Sequence, residues 1–237
     1  VKKRLKIAVT GGETFLKQYV IHEYVAEDNA LTVDDETEAD IVVHAPRANA
    51  LAETRRLNLH PDQTIVVIGS EEEGVDQWAA LLSDRGLNVT TIVTGWIVGT
   101  GMDGAPRMIV NAIARGNYMH IEGTAARHSV IHAADVATYA RLLAGRGGRW
   151  EVADGPAPTV DELTEALAWR ISHKRIFSLT ARQWKLLSWV PWLGCNRESW
   201  RSTDCILYPA KTIEAAGKPS INVIERLRNH EYGNDDI

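Results

Sequence analysis

The chain has only two cysteines, Cys195 and Cys205, and they form no Cys-x-x-Cys pair. Neither a disulfide framework nor a thiolate zinc cage is therefore the basis of the fold. Eight histidines are present, but no HExxH and no close His/carboxylate spacing with ligand geometry, so no metal centre is expected. No stretch approaches about eighteen uninterrupted apolar residues, the length a membrane-spanning helix needs. The opening residues run straight into an apolar strand rather than the hydrophobic segment of a signal peptide, and a soluble, cytoplasmic protein is expected. A broad basic field is missing too: 26 lysines and arginines stand against 31 aspartates and glutamates, a net charge of −5. The opening Lys2, Lys3, Arg4 and Lys6 are too few to reverse this, so nucleic acid is not the expected partner. No internal repeat and no low-complexity linker divides the 237 residues.

What is present alternates. Leu5 to Thr10 reads as a buried strand ending at Gly11-Gly12, and Phe15, Leu16, Tyr19, Val20, Tyr24 and Val25 then recur at helical spacing. This strand, glycine turn and helix make the first half of a βαβ unit. Further strands are predicted at 31–33, ending in Asp34-Asp35, at 39–43, ending in His44, at 63–68 and at 88–93. The β-branched run Thr64-Ile65-Val66-Val67-Ile68 suits a parallel strand covered on both faces. The connections are short. No helix fits between Asp35 and Ala39, and only a short one, near 48–57, fits before Gln63. Helices are expected at 73–85, 108–113, 135–143 and 221–229. Another, running to about Ile171, should begin at the capping box Thr159-Val160-Asp161-Glu162. The pattern predicts an α/β, doubly wound parallel sheet. We expect a Rossmann-like core over 1–145 and a mostly helical region over 146–237 that completes the same fold.

Several stretches, taken in order, resemble the extended short-chain dehydrogenase/reductases, the group of NAD-dependent epimerases and dehydratases. Ile7-Ala8-Val9-Thr10-Gly11-Gly12 with Phe15-Leu16 resembles their first strand and glycine turn. Asp40 to Ala45 resembles the fourth strand, and Val66-Val67-Ile68-Gly69-Ser70 the fifth, which in the family leads to a catalytic serine or threonine. Gly95 to Gly101 is similar to the family's aromatic-glycine-proline-glycine loop. Ser129 to Ala137, then Trp150-Glu151-Val152-Ala153-Asp154-Gly155 and the Thr159 helix, match in order and spacing over perhaps residues 4–170.

The resemblance implies NAD or NADP as cofactor and a nucleotide sugar or related small molecule as substrate. It implies Gly11, Gly12, Thr14, Lys17, Asp34 and His44 as cofactor-side positions, with Ser70 and Glu71 as catalytic candidates. The departures are as informative. Family chemistry needs a tyrosine and, four residues on, a lysine that lowers its pKa. The helix at 73–85 has neither, no lysine occurs between Lys17 and Lys174, and none of the six tyrosines has lysine at i+4. In the glycine loop, Thr14 stands where a glycine lets the backbone approach the pyrophosphate, and Lys17 where one permits helix packing. Glu13 adds a negative charge where phosphate is normally received. Asp34 stands at the expected place of a ribose-binding acid. The expectation is a shortened, degenerate member that lacks standard catalysis and acts by binding or assembly. The alternative is an active enzyme with an unusual acid/base. Trp184, Trp189, Trp192 and Trp200 crowd a stretch with Leu186, Leu187, Val190 and Leu193. That stretch is a candidate surface for a protein partner or membrane interface, or else an apolar cover for the fold.

Overall fold

A computed structural model describes residues 4–11, 15–46, 50–121, 126–172, 176–180, 182–183 and 203–229. Its strands, in chain order, are β1 (Lys6–Thr10), β2 (Leu31–Thr32), β3 (Ile41–His44), β4 (Thr64–Gly69), β5 (Val89–Thr94), β6 (Trp96–Val98), β7 (Met119–Ile121), β8 (Val130–His132), β9 (Gly148–Val152) and β10 (Phe177–Leu179). Six of them form one parallel sheet in the order β2-β1-β3-β4-β5-β9. Ile7 lies opposite Ile41, Val43 opposite Val66, and Ile92 opposite Trp150. Two parallel pairs, β6 with β8 and β7 with β10, stand outside this sheet.

The β-branched runs form strands because both faces of the sheet are covered. Successive residues enter opposite cores, as the two-residue period requires. Ile7, Val43, Val66 and Ile68 join one cluster with helix α1 (Leu16–Asp28) and helix α5 (Ala133–Leu143). Ala8, Val42, Ile65 and Val67 join the other, beneath helix α2 (Leu51–Arg56) and helix α3 (Val75–Ser83). Full burial of each such side chain contributes roughly 1.5–3 kcal/mol, which fixes the register. A third core joins helix α4 (Gly104–Ala114) and helix α6 (Val160–Ser172) through Ile109, Ile113, Leu163 and Leu167, with Val223 and Leu227 packed on them.

The connections are as short as the sequence predicts. Between β2 and β3 there is one 3₁₀ turn, Glu36–Glu38, and α2 has six residues. The capping box of α6 is formed: Thr159 Oγ accepts from the Glu162 amide at 3.1 Å, and the Glu162 carboxylate accepts from the Thr159 amide at 2.8 Å. Asp135, in the first turn of α5, does not cap it. The cap is the His132 ring, whose Nδ1 accepts from the Ala134 amide at 3.2 Å. The buried Asp135 carboxylate instead takes three donors from the tail, the Ser220 amide and hydroxyl and the Ile221 amide. Beside it, Asp154 accepts from the Val223 amide at 2.7 Å. A buried and a half-buried acid thus dock the start of the helix Val223–Asn229. Among the described residues, no helix is long and apolar enough to cross a membrane.

Candidate functional site

The sheet changes winding direction between β1 and β3: from β1 the chain moves to β2 on one side, then returns to β3 on the other. Loops diverge at the carboxyl ends of strands at such a point and leave a crevice. A cavity of about 380 Å³ lies beside it, over the ends of β3, β4 and β5 and against the start of α1. Phe15, Pro46, Trp96, Ile97 and Pro106 supply apolar walls. The polar groups are Ser70, Glu72, Glu73, Thr94, Asp103 and Cys205. Among the described residues that line the cavity there is no lysine, arginine or tyrosine.

The acidic rim is held by local bonds. Ser70 and Glu73 form a reciprocal pair at the entrance to α3. The Ser70 amide donates to Glu73 Oε2 at 3.0 Å, and the Glu73 amide donates to Ser70 Oγ at 3.2 Å. This capping arrangement satisfies amides that precede the helix and fixes the Glu73 carboxylate over the strand end. A Cβ built on Gly69 would meet that carboxylate at 3.5 Å and the Trp78 ring at 2.8 Å, so the end of β4 is sealed by the helix that follows it. Asp103 caps α4, accepting from the Gly104 amide at 2.8 Å. The Trp96 ring stacks on His128 at 4.1 Å, nearly parallel to it. Cys205 comes from the tail and is laced into the site by its backbone: its amide donates to the Arg127 carbonyl, and its carbonyl accepts from the Ser129 amide. Burial pushes its thiol pKa up, and the neighbouring Glu72 and Glu71 push it further.

The residues anticipated from the sequence are scattered around this cavity. Ser70 lines it, its hydroxyl engaged with the Glu73 amide. Glu71 faces outward into an ion-pair cluster, in which Arg149 also meets Glu151 and Asp76. Gly11 ends β1 with a φ of +108°, a conformation for which glycine is suited. A Cβ there would lie 2.5 Å from the Ala45 carbonyl carbon, so the loop after β3 rests directly on the glycine. Lys17 is half-buried in the first turn of α1, and Asp34 is exposed beyond the end of β2. Gly12, Glu13 and Thr14 lie outside the described residues, as do residues 184–200 with their four tryptophans.

His44 is fully buried rather than lining the cavity. Thr54 Oγ1 donates to the Ala50 carbonyl at 3.0 Å, so it accepts from His44 Nε2–H at 2.9 Å. Nδ1 then accepts from the Thr10 hydroxyl at 2.9 Å. Burial lowers the ring's pKa to about 4. His44 is thus a neutral clamp joining β1, β3 and α2.

The sequence did not single out Glu72, Glu73, Asp103 or Cys205. The triplet Glu71-Glu72-Glu73 after a strand was a visible signal. Cys205, more than a hundred residues downstream and in no motif, gave none. Glu72, Glu73 and Asp103 line the mouth of the cavity, and a carboxylate about 4 Å from a phosphate costs it roughly 1–4 kcal/mol. Of the described tyrosines, Tyr24 and Tyr139 donate to backbone carbonyls, and Tyr19 accepts from the Thr100 amide.

No family model and no curated protein matches the sequence. Solved structures do. UDP-N-acetylglucosamine 4-epimerase from Bacillus cereus is 17% identical over 97% of this chain and 100% of its own, with a TM-score of 0.66. A nucleoside-diphosphate-sugar epimerase from Pseudomonas aeruginosa is 16% identical over 95% of both chains, at 0.69. UDP-glucose 4-epimerase from Thermus thermophilus, solved in complex with NAD, is 13% identical over 94% of this chain and 97% of its own, at 0.65. The chain accordingly has the Rossmann-like fold of the nucleotide-sugar epimerases and other extended short-chain dehydrogenase/reductases, built here with shortened connections.

Proposed function

We propose that this chain is a catalytically silent relative of the NAD-dependent epimerases and dehydratases, one that acts by binding or assembly. One observation carries the reading. The helix that follows β4, Val75-Asp76-Gln77-Trp78-Ala79-Ala80-Leu81-Leu82-Ser83, presents neither a tyrosine nor a lysine to the cleft. A proton relay to a substrate oxygen needs a phenol with a lowered pKa, and a nearby cation is the means of lowering it. The bonding of Ser70 agrees with this. Its hydroxyl accepts from the Glu73 amide, which suits it to shaping α3 rather than to handling a proton.

A second reading keeps the chain active on a nucleotide sugar with a substitute acid/base. It is favoured by the cleft's position at the switch point and by neighbours solved with NAD or NADH. Titration with NADH and NADPH, followed by tryptophan fluorescence and by calorimetric heat, separates the two. No binding at hundreds of micromolar, with no turnover of UDP-glucose or UDP-N-acetylglucosamine, is the expected result. Saturable binding together with turnover would replace the silent reading with the active one.

A further inference from the structure

We propose that the tail, residues 204–229, is a strap latched by one proton held between Asp135 and Asp154, and that release of this proton loosens the strap and opens the Cys205 side of the cleft. Such a latch governs access to the cleft and holds whether or not the cleft turns over a substrate.

Acids grip the strap by its backbone. The Tyr208 amide donates to Glu151 Oε2 at 2.7 Å, and the Ser220 and Ile221 amides donate to Asp135 at 2.9 and 3.0 Å. The Val223 amide donates to Asp154 at 2.7 Å. Ile221 and Val223 are two residues apart, so the carboxylates that receive their amides stand near each other. Asp135 has both oxygens engaged by three tail donors, whereas Asp154 takes one. A carboxyl group with one donor can carry a proton on its second oxygen and keep that bond, which places the proton on Asp154. Burial and the Asp135 charge disfavour its ionised form, the Val223 amide favours it, and the balance pushes the pKa up to about 6. Charged and titratable groups on the neighbouring elements are engaged elsewhere. His132 caps α5 and packs on Tyr19, Tyr139 donates to the Gly217 carbonyl, and Asp161 pairs with His120. Arg127 donates to the Ala157 carbonyl, Glu151 pairs with Arg149, and Lys218 and Glu225 are exposed.

The segment Arg127 to Val130 ties this latch to the cleft. The Asp154 amide donates to the Val130 carbonyl at 2.9 Å, and the Ser129 amide donates to the Cys205 carbonyl at 2.8 Å. Ser129 Oγ accepts from the Leu207 amide at 2.9 Å. Asp154 and the Cys205 end of the strap thus hang on adjacent residues, and Cys205 lines the cavity. When both acids are charged they repel each other. Asp135 is built into α5 and Asp154 directly follows β9, so the strap is the part that gives way. A proton bound to the docked state favours docking below about pH 6 and ceases to do so above it. The docked-to-loosened ratio should fall about twentyfold between pH 4.5 and 7.

Hydrogen exchange at the Ile221 and Val223 amides, corrected for the intrinsic pH dependence of exchange, reads the strap, and the amides of β4 read global unfolding. Protection at the two tail amides should fall about twentyfold from pH 4.5 to 7 without a matching fall across β4. Asp154→Asn should abolish the fall, and Asp135→Asn, which removes the opposing charge, should move it to lower pH. In a Cys195→Ser background Cys205 is the remaining cysteine, and its labelling by methyl methanethiosulfonate reads the cleft. Parent and Asp154→Asn chains are compared at each pH, so thiol ionisation cancels. The ratio of parent to variant rates should rise about tenfold or more over the same range.

Tail protection that tracks β4, or that falls equally in Asp154→Asn, overturns the latch. So does a labelling ratio that stays constant with pH. Should Asp154→Asn fail to fold, Asp135→Asn decides, and a fall at an unmoved pH overturns the proposal.

Discussion

His44 sits between two threonine hydroxyls in a place water does not reach, and this arrangement has a pH signature. The unfolded chain protonates this ring near its ordinary value of about 6.5, whereas the folded chain holds it neutral down to about 4. Its contribution to stability is therefore whole above pH 6.5 and is lost as the pH falls toward 4, by about 3 kcal/mol over that window. His44→Gln has no such proton to bind in either state. Its deficit against the parent chain, measured by urea denaturation, should be largest at pH 7 and shrink toward pH 4.5. A deficit independent of pH would show that the ring titrates normally and is not sealed. The other end of the same region is held by Gly11, where a side chain would strike the backbone of Ala45 and Pro46.

At the scale of elements, α3 and the tail helix carry the arguments. Trp78 is about 1% exposed and wedges α3 against Gly69 at the end of β4. Trp78→Ala removes one of the largest side chains in the core beneath α2 and α3, and should cost about 3–5 kcal/mol in denaturant unfolding. Because Trp78 backs the strand end that bears Glu73, the same change should also loosen the cleft. The helix Val223–Asn229 is docked through Asp135 and Asp154, and the Asp154 pKa is pushed up to about 6, mainly by burial and further by Asp135. Here the sign runs opposite to that of His44. Between about pH 4 and 6 the folded chain keeps a proton that the unfolded chain releases, so this group's contribution declines as the pH rises. Asp154→Asn should therefore fall further behind the parent chain at pH 4.5 than at pH 7. The gap between those two pH values should be about 2 kcal/mol. Hydrogen exchange at the amides of 221–224 locates the effect, and equal gaps at both pH values would refute it.

For the molecule as a whole these two slopes overlap between about pH 4 and 6 and largely offset each other. Stability contributed by the pair should be nearly level there, while each single variant tilts the curve in its own direction. The architecture explains why so much of the fold was legible. A parallel strand covered on both faces is largely apolar, so β3 and β4 announce themselves as runs such as Ile65-Val66-Val67-Ile68. The Thr159 capping box and the shortness of the β2–β3 connection are equally local, and both appear as predicted. The site was far less legible. Ser70 reaches the cavity, but Glu71, one residue on, turns out to Arg149, and His44 turns inward. A single residue changes which way a side chain points at a strand end, and sequence spacing does not carry that information.

The sequence by itself determined the order of the first five strands with the helices among them, and the loss of the tyrosine–lysine pair. It did so because helical and strand periods are local, and an absent residue type is absent in any fold. Tertiary structure alone decided that Glu72, Glu73, Asp103 and Cys205 share one cavity with Trp96. It also decided that Asp135 and Asp154 hold the tail. These are distances through space between segments far apart along the chain. Coulombic and desolvation effects follow those distances, not position in the sequence.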